Sequence, residues 1–325
     1  MKKLTAACAT FTVLLLSQGC KKSTSADFPP AHIVPLYSVM RDYNKMDSLE
    51  QRAVLSSDSV EIAAFMKTIS EMPISSAQVE AWAASPAVTV FTPAVDSVFS
   101  DTAAVSHILG NILGNAQAAG LDIPRRRYAS VVYGRPESIL FVDSVVLIAL
   151  NHYLGADYPG YSHWPVFMRA AKTPEALAPD LAEALIATRY PYEIENGTLL
   201  NRMLYEGALA HAKQAAIPGL SDAMALGYDE TQYRQLLEAE KALWHTLVAN
   251  RLLFDSSELL IDKFIAPSPQ TNLTGTSLPG RAGRFIGKRI VDSYLKNHPE
   301  TTVEKLLSPS FFASQETLRE SGYGL

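Results

Sequence analysis

Apolar residues recur every three to four positions through most of the chain, and the main exception is one block near the middle. Residues 34–119 follow the helical period. In "SSDSVEIAAFMKTISEM" (residues 56–72) Val60, Ala63, Phe65 and Met66 fall on or near one side. "DTAAVSHILGNILGNAQAAG" repeats the pattern through Val105, Ile108, Leu109 and Ile112, with Asp101 placed to cap its start and Gly120 to end it. The texture then changes. "RRYASVVYG" (126–134) and "SILFVDSVVLIALNHYLG" (138–155) are crowded with Val, Ile, Leu and Tyr, which predicts two or three strands, the last mostly buried.

Helical spacing returns at Thr173, an N-cap candidate followed by Pro174 at the first helical position. "TLLNRMLYEGALAHAKQA" (198–215) is apolar over so much of its surface that it reads as a central helix. Asp229 and Gln232 form a capping box ahead of a wide stripe of Tyr233, Leu236, Leu237, Leu243, Trp244, Leu247 and Val248. "GRFIGKRIVDSYLKNH" (283–298) follows, and a second box at Thr301 and Glu304 opens a last short helix. Helices, a small sheet and more helices predict an α+β, mainly helical fold. With no internal repeat and no Pro/Gly/Ser-rich linker, residues 34–325 read as one domain.

Composition narrows the function. The 325 residues are 48% hydrophobic and 19% charged, with a net charge of −5, which suits a folded protein and gives no basic surface for nucleic acid. Lys2 and Lys3 precede the short apolar run "LTAACATFTVLLL", too brief to span a bilayer, and "SQGC" ends it. A short apolar run, a small residue and a Cys resemble a bacterial lipoprotein signal. Residues 1–19 would be removed, Cys20 would carry the lipid and residues 20–33 would form the tether. The position three before the Cys is Ser17 where Leu is usual, and an ordinary cleaved signal with a free Cys is the other reading. Cys8 and Cys20 are the only cysteines, so the remaining body has neither disulfides nor thiolate chemistry.

Candidate chemistry centres on "NRMLYEGALAHAK" (201–213). A Glu-Gly-x-Ala run on a helix is how many zinc peptidases present their last metal ligand, and this chain has a Glu-Gly-x-x at Glu206 and Gly207, but those enzymes also need His-Glu-x-x-His, because positions four apart face one metal. No two of the seven histidines are four apart. The preceding helix reads "LAEALIA", with Glu183 where the general base would stand and Ala182 and Ile186 where imidazoles would be. His211 lies five residues from Glu206, about 140° round the helix. An ion pair with Arg202, four residues back, is the ordinary reading of Glu206. A zinc hydrolase with ligands drawn from Glu183, Glu206, His152, His163 or His211 stays open beside it.

Two further groups stand out. His152, Asp157, Tyr158, Tyr161, His163 and Trp164 mix polar and aromatic side chains on one loop. They make either a binding surface, as for a solute or glycan, or a cap on the core. Arg281, Arg284, Lys288 and Arg289 form a basic patch, read as a solvated helix face or as a contact for a phosphate or acidic partner.

Taken together, the lipoprotein start, "IALNHYLGADYPGY", "TLLNRMLYEGALAHAK", "ALWHTLVANRLLF", "IAPSP" and "LPGRAGRFIGKRIVDSYLKNH" resemble the gliding motility lipoprotein GldB family of Bacteroidota. That family in turn resembles predicted zinc proteases of gluzincin type, which implies a zincin-like helical body with a small sheet. On that mapping Glu183 and Glu206 are remnants of a metal site whose two histidines are lost, leaving no catalytic residue, metal or cofactor. The resemblance implies a non-catalytic, lipid-anchored protein of the cell envelope. Its expected place is the periplasmic side of the outer membrane, docked on proteins of the gliding and type IX secretion machinery.

Overall fold

The Val/Ile/Leu-rich block lies between two layers of helices in the computed structural model, which describes residues 27–70, 75–100, 102–273 and 276–324. The signal segment 1–19, Cys20 and the Asp101 cap fall outside these residues. Six helices come first: α1 (Leu36–Tyr43), α2 (Ser48–Ser57), α3 (Ser59–Lys67), α4 (Ser76–Ala83), α5 (Pro86–Val98) and α6 (Thr102–Ala118). The stretch read from sequence as one amphipathic helix over 56–72 is divided at Asp58. The buried face of α3 is Glu61, Ile62, Ala64, Phe65 and Met66, while Val60 stays exposed. Glu61 tolerates burial because the Arg127 guanidinium holds both its oxygens.

Three strands follow: β1 (Arg127–Val131), β2 (Ile139–Val142) and β3 (Val145–Ala149), in the order β1-β3-β2. β1 runs parallel to β3, and β2 pairs with it antiparallel through a two-residue turn in which Asp143 takes φ 52°. All five residues of β3 are buried, so its alternation divides the core in two. Val145, Leu147 and Ala149, with Ala129 and Val131, pack with Leu36, Met40, Phe65 and Val79 of the N-terminal helices. Val146 and Ile148, with Tyr128, belong to the larger core, built by the C-terminal helices together with α6 and the end of α5.

That second layer holds α7 (Val166–Arg169), α8 (Leu177–Arg189), α9 (Leu199–Ala216), α10 (Asp222–Leu226), α11 (Glu230–Ala249) and α12 (Glu258–Ile265). A hairpin of β4 (Gln270–Leu273) and β5 (Thr276–Pro279) leads into α13 (Ala282–Asn297), α14 (Val303–Leu306), α15 (Pro309–Phe312) and α16 (Gln315–Ser321). α9 is the expected central helix, buried on nearly every side. The Asp229–Gln232 capping box is present, but the α11 stripe is narrower than its sequence suggests, with Leu237 and Val248 exposed. Pro174 opens a single 3-10 turn before α8, and Thr173 offers it no side-chain bond. Thr302, not Thr301, caps α14, its side chain accepting from Lys305 N–H, while the Thr301 N–H donates to the His298 carbonyl as α13 closes. The fold is α+β and mainly helical, as expected. No described helix is long and apolar enough to cross a membrane.

The segment read as tether, 20–33, is partly fastened. Phe28 N–H donates to the Asn111 side chain at 2.8 Å and Ala31 N–H to the Ser106 carbonyl at 2.9 Å. The Phe28 ring lies over Gly114 and the Pro29 carbonyl over Gly110, where a Cβ on either glycine would collide. Val34 then bridges to Ala129 alongside β1.

Candidate functional site

The crossing of α9 and α13 sets the geometry of the charged centre. A Cβ on Gly287 would fall 1.8 Å from the Met203 carbonyl oxygen, and one on Gly207 would fall 2.4 Å from the Gly287 carbonyl. The two backbones therefore touch, and Arg284, one turn before Gly287, lies against Glu206, the neighbour of Gly207.

Glu206 is almost fully buried. Its Oε1 lies 2.9 Å from Arg202 Nη2, the expected i,i+4 pair, and its Oε2 lies 2.9 Å from Arg284 Nε. The second contact is an ion pair without hydrogen-bond alignment, since Arg284 Nε has no aligned acceptor. Arg284 Nη2 donates to Glu183 Oε1 at 2.9 Å, and Lys213 Nζ pairs closely with Glu183 Oε2. One guanidinium thus joins Glu183 of α8 to Glu206 of α9. Burial alone would raise the Glu183 pKa, but the Arg284 and Lys213 charges outweigh it and hold the carboxyl below the usual carboxylate range. Burial depresses Lys213, and Glu183 opposes that shift. Further along α8, burial and then the Glu183 charge push Asp180 up, while the Tyr153 hydroxyl donates to it at 3.1 Å.

Glu183, Glu206, Arg202, Arg281 and Arg284 line a cleft of about 530 Å³, the size of a small-molecule site. Tyr192, Ile194, Ile261 and Ile265 add apolar surface, and Glu258 and Asp262 of α12 are exposed on its lining.

The basic patch is divided, with Arg281 and Arg289 half-buried. Arg284 and Lys288 are buried, and the acidic partners are in the chain itself. Lys288 meets Asp292 at 2.6 Å and Asp222 at 3.2 Å, and Arg289 Nε donates to Glu240 at 2.8 Å. A solvated face is therefore the wrong reading for Arg284 and Lys288, which share the buried side of α13 with Gly283 and Gly287.

The aromatic loop is divided. Tyr161 is buried, donating its hydroxyl to the Asn151 carbonyl at 2.6 Å and accepting from Leu154 N–H at 3.1 Å. Trp164 stacks on Tyr161 at 5.3 Å, and His152 is buried between Tyr133 and Trp164. These three cap the core. Asp157 and His163 are exposed, and Tyr158 is half-buried against Phe91.

Sequence reasoning missed the cluster behind this loop. Lys172 Nζ donates to Ser138 Oγ at 2.6 Å, and His152 Nδ1 lies 3.2 Å from the same oxygen. Three isolated residues from separate segments leave no spacing signal. Burial first, and the Lys172 charge second, lower the His152 pKa from 6.5 to about 3, so the ring is neutral in the folded chain. The unfolded chain takes up this proton below pH 6.5 while the folded chain refuses it, so stability falls on acidification. Between pH 6.5 and 5 the loss should be about 2 kcal/mol, and His211, lowered by burial and by Lys288, adds in the same direction. Urea unfolding across this range should show the slope, and His152→Gln should flatten it. An unchanged slope in the variant would remove His152 as its source.

A zinc site needs imidazole or carboxylate donors converging on one point. Among the described residues no three His, Cys, Asp or Glu side chains do so. His152 and His163 sit with the aromatic loop and His211 beside Lys288, away from the Glu183–Glu206 pair, whose oxygens already meet cations. The donor set does not fit zinc.

Comparison with known proteins adds one family: the model described as gliding motility protein GldB matches residues 32–324. No curated protein and no solved structure matches.

Proposed function

The chain belongs to the gliding motility protein GldB family, and from that membership we propose a non-catalytic, lipid-anchored envelope protein that works by docking. Its partners would be envelope proteins of the motility and type IX secretion machinery, met on the periplasmic side of the outer membrane. The observation that carries the non-catalytic part is the Arg284 guanidinium between Glu183 and Glu206. A fixed cation joins the two carboxylates that a zinc peptidase would use as base and ligand, and the zincin-like scaffold reads as ancestry. The anchor rests on the "SQGC" signal, since the two or three acyl chains of a lipidated Cys20 suffice for stable attachment.

The test has two arms on the full chain, purified in detergent without chelator or metal-affinity resin. Zinc content should be far below one per chain, and near-stoichiometric zinc would overturn the non-catalytic reading. Crosslinking before extraction should retain specific envelope proteins of the motility machinery. A clean negative there would overturn docking.

A further inference from the structure

Of the three arginines lining the cleft, two are spoken for. Arg284 joins Glu183 to Glu206, and Arg202 meets Glu206 while lying over the rings of Tyr192 and Tyr205. Both oxygens of each glutamate are already engaged by these arginines or by Lys213. Arg281 is different. Its Nε is enclosed without a hydrogen-bond partner, and among the described residues its guanidinium joins no ion pair. Burial and the neighbouring Arg284 act against its charge, and the more distant fields of Glu183, Tyr228 and Glu206 only partly offset them. An unpaired cation so placed is costly unless something supplies the counter-charge.

The backbone there is also strained in a defined way. Arg281 takes φ 65°, the left-handed region a non-glycine residue enters at a cost. It is held there by the Tyr228 hydroxyl, 2.8 Å from its carbonyl oxygen and 3.0 Å from that of Gly280. The same residue is the N-cap of α13, whose first turn contains no acidic side chain, so the positive end of a sixteen-residue helix adds to the field.

We propose that the cleft is a binding site for a monoanionic carboxylate carrying an apolar group, with the carboxylate seated on Arg281. The guanidinium fork matches a carboxylate with two parallel hydrogen bonds. Arg202, Arg284 and Lys213 already meet the four oxygens of Glu183 and Glu206, so Arg281 is the lining arginine left to take a carboxylate from outside. Glu258 and Asp262 oppose a dianion such as phosphate, and Ile194, Ile261 and Ile265 accept an apolar substituent. This site goes beyond the docking reading and does not depend on it.

Calorimetric titration of the full chain in detergent with N-acetyl-leucine, N-acetyl-leucinamide and inorganic phosphate tests the assignment. N-acetyl-leucine should bind saturably, and the amide and phosphate at least tenfold more weakly. Arg281→Gln should lose at least tenfold in affinity for the carboxylate, with Arg281→Lys between the two. Circular dichroism reports whether each variant is folded, and should Arg281→Gln fail to fold, the ranking of the three probes on the parent chain still decides. Equal binding of the amide, tighter binding of phosphate, no saturation by N-acetyl-leucine at its solubility limit, or a folded Arg281→Gln with parental affinity would overturn the proposal.

Discussion

Gly287→Ala is expected to be the most damaging single methyl addition in the chain, at about 3 kcal/mol or more. Alanine is the better helix former by roughly 1 kcal/mol, so propensity alone predicts a gain. The new Cβ, however, would lie 1.8 Å from the Met203 carbonyl oxygen and 2.6 Å from its carbon. Both are backbone atoms of the central helix and cannot rotate away, so α9 and α13 must part. Gly207→Ala forces the same separation from the other side, and the double variant should cost well under the sum because one displacement relieves both clashes. Gly134→Ala is the control: nothing lies within 4 Å of its Cβ position, and its change should stay within about 0.5 kcal/mol. Urea unfolding of the four variants decides it. A Gly287→Ala chain as stable as its parent would mean the helices do not touch.

Arg284→Met should rank second, at about 3–5 kcal/mol at pH 7, because it leaves Glu206 and Glu183 without the cation they share. Its pH dependence has a diagnostic sign. In the parent, Glu183 is held below its ordinary value of 4.5, so its contribution is complete above that pH and is lost only on further acidification. In the variant, burial acts on Glu183 with Lys213 and the weaker field of Arg281 to oppose it, and the folded-state value moves up. Acidification from pH 7 to 5 should then narrow the gap between variant and parent. Asp180 and the histidines are common to both chains and largely cancel in the difference. A constant gap would place the loss in packing instead of charge, and no gap at all would leave Arg284 without the structural role assigned to it.

Much of the fold was legible because local signals agreed. The Asp229–Gln232 box marked the start of α11, and the Val/Ile/Leu run of 145–149 marked a strand buried on both faces. The β4–β5 hairpin was not legible, since "QTNL" and "TSLP" carry no apolar alternation. The site divides in the same way. Arg202–Glu206 is local and was read correctly, whereas Arg284 lies about eighty residues from Glu206. Periodicity tells which residues share a face of α13, but not whether that face meets water or buried acids. The one available signal was Gly283 and Gly287 interleaved with Arg284 and Lys288, because glycines on a charged face suit a close helix crossing better than exposure. The loop carried a similar ambiguity. Tyr161 and His152 look like binding aromatics in sequence and are buried because the Asn151 carbonyl and Ser138 satisfy their polar atoms.

The fastening of Phe28 and Ala31 to α6 also sets a leash. Were Cys20 lipidated as proposed, at most seven residues, 21 to 27, would separate it from the fastened Phe28, a reach of about 25 Å at full extension. On so short a reach the body would not patrol the envelope, α6 would stay close to the bilayer surface, and partners would have to come to the membrane to meet it.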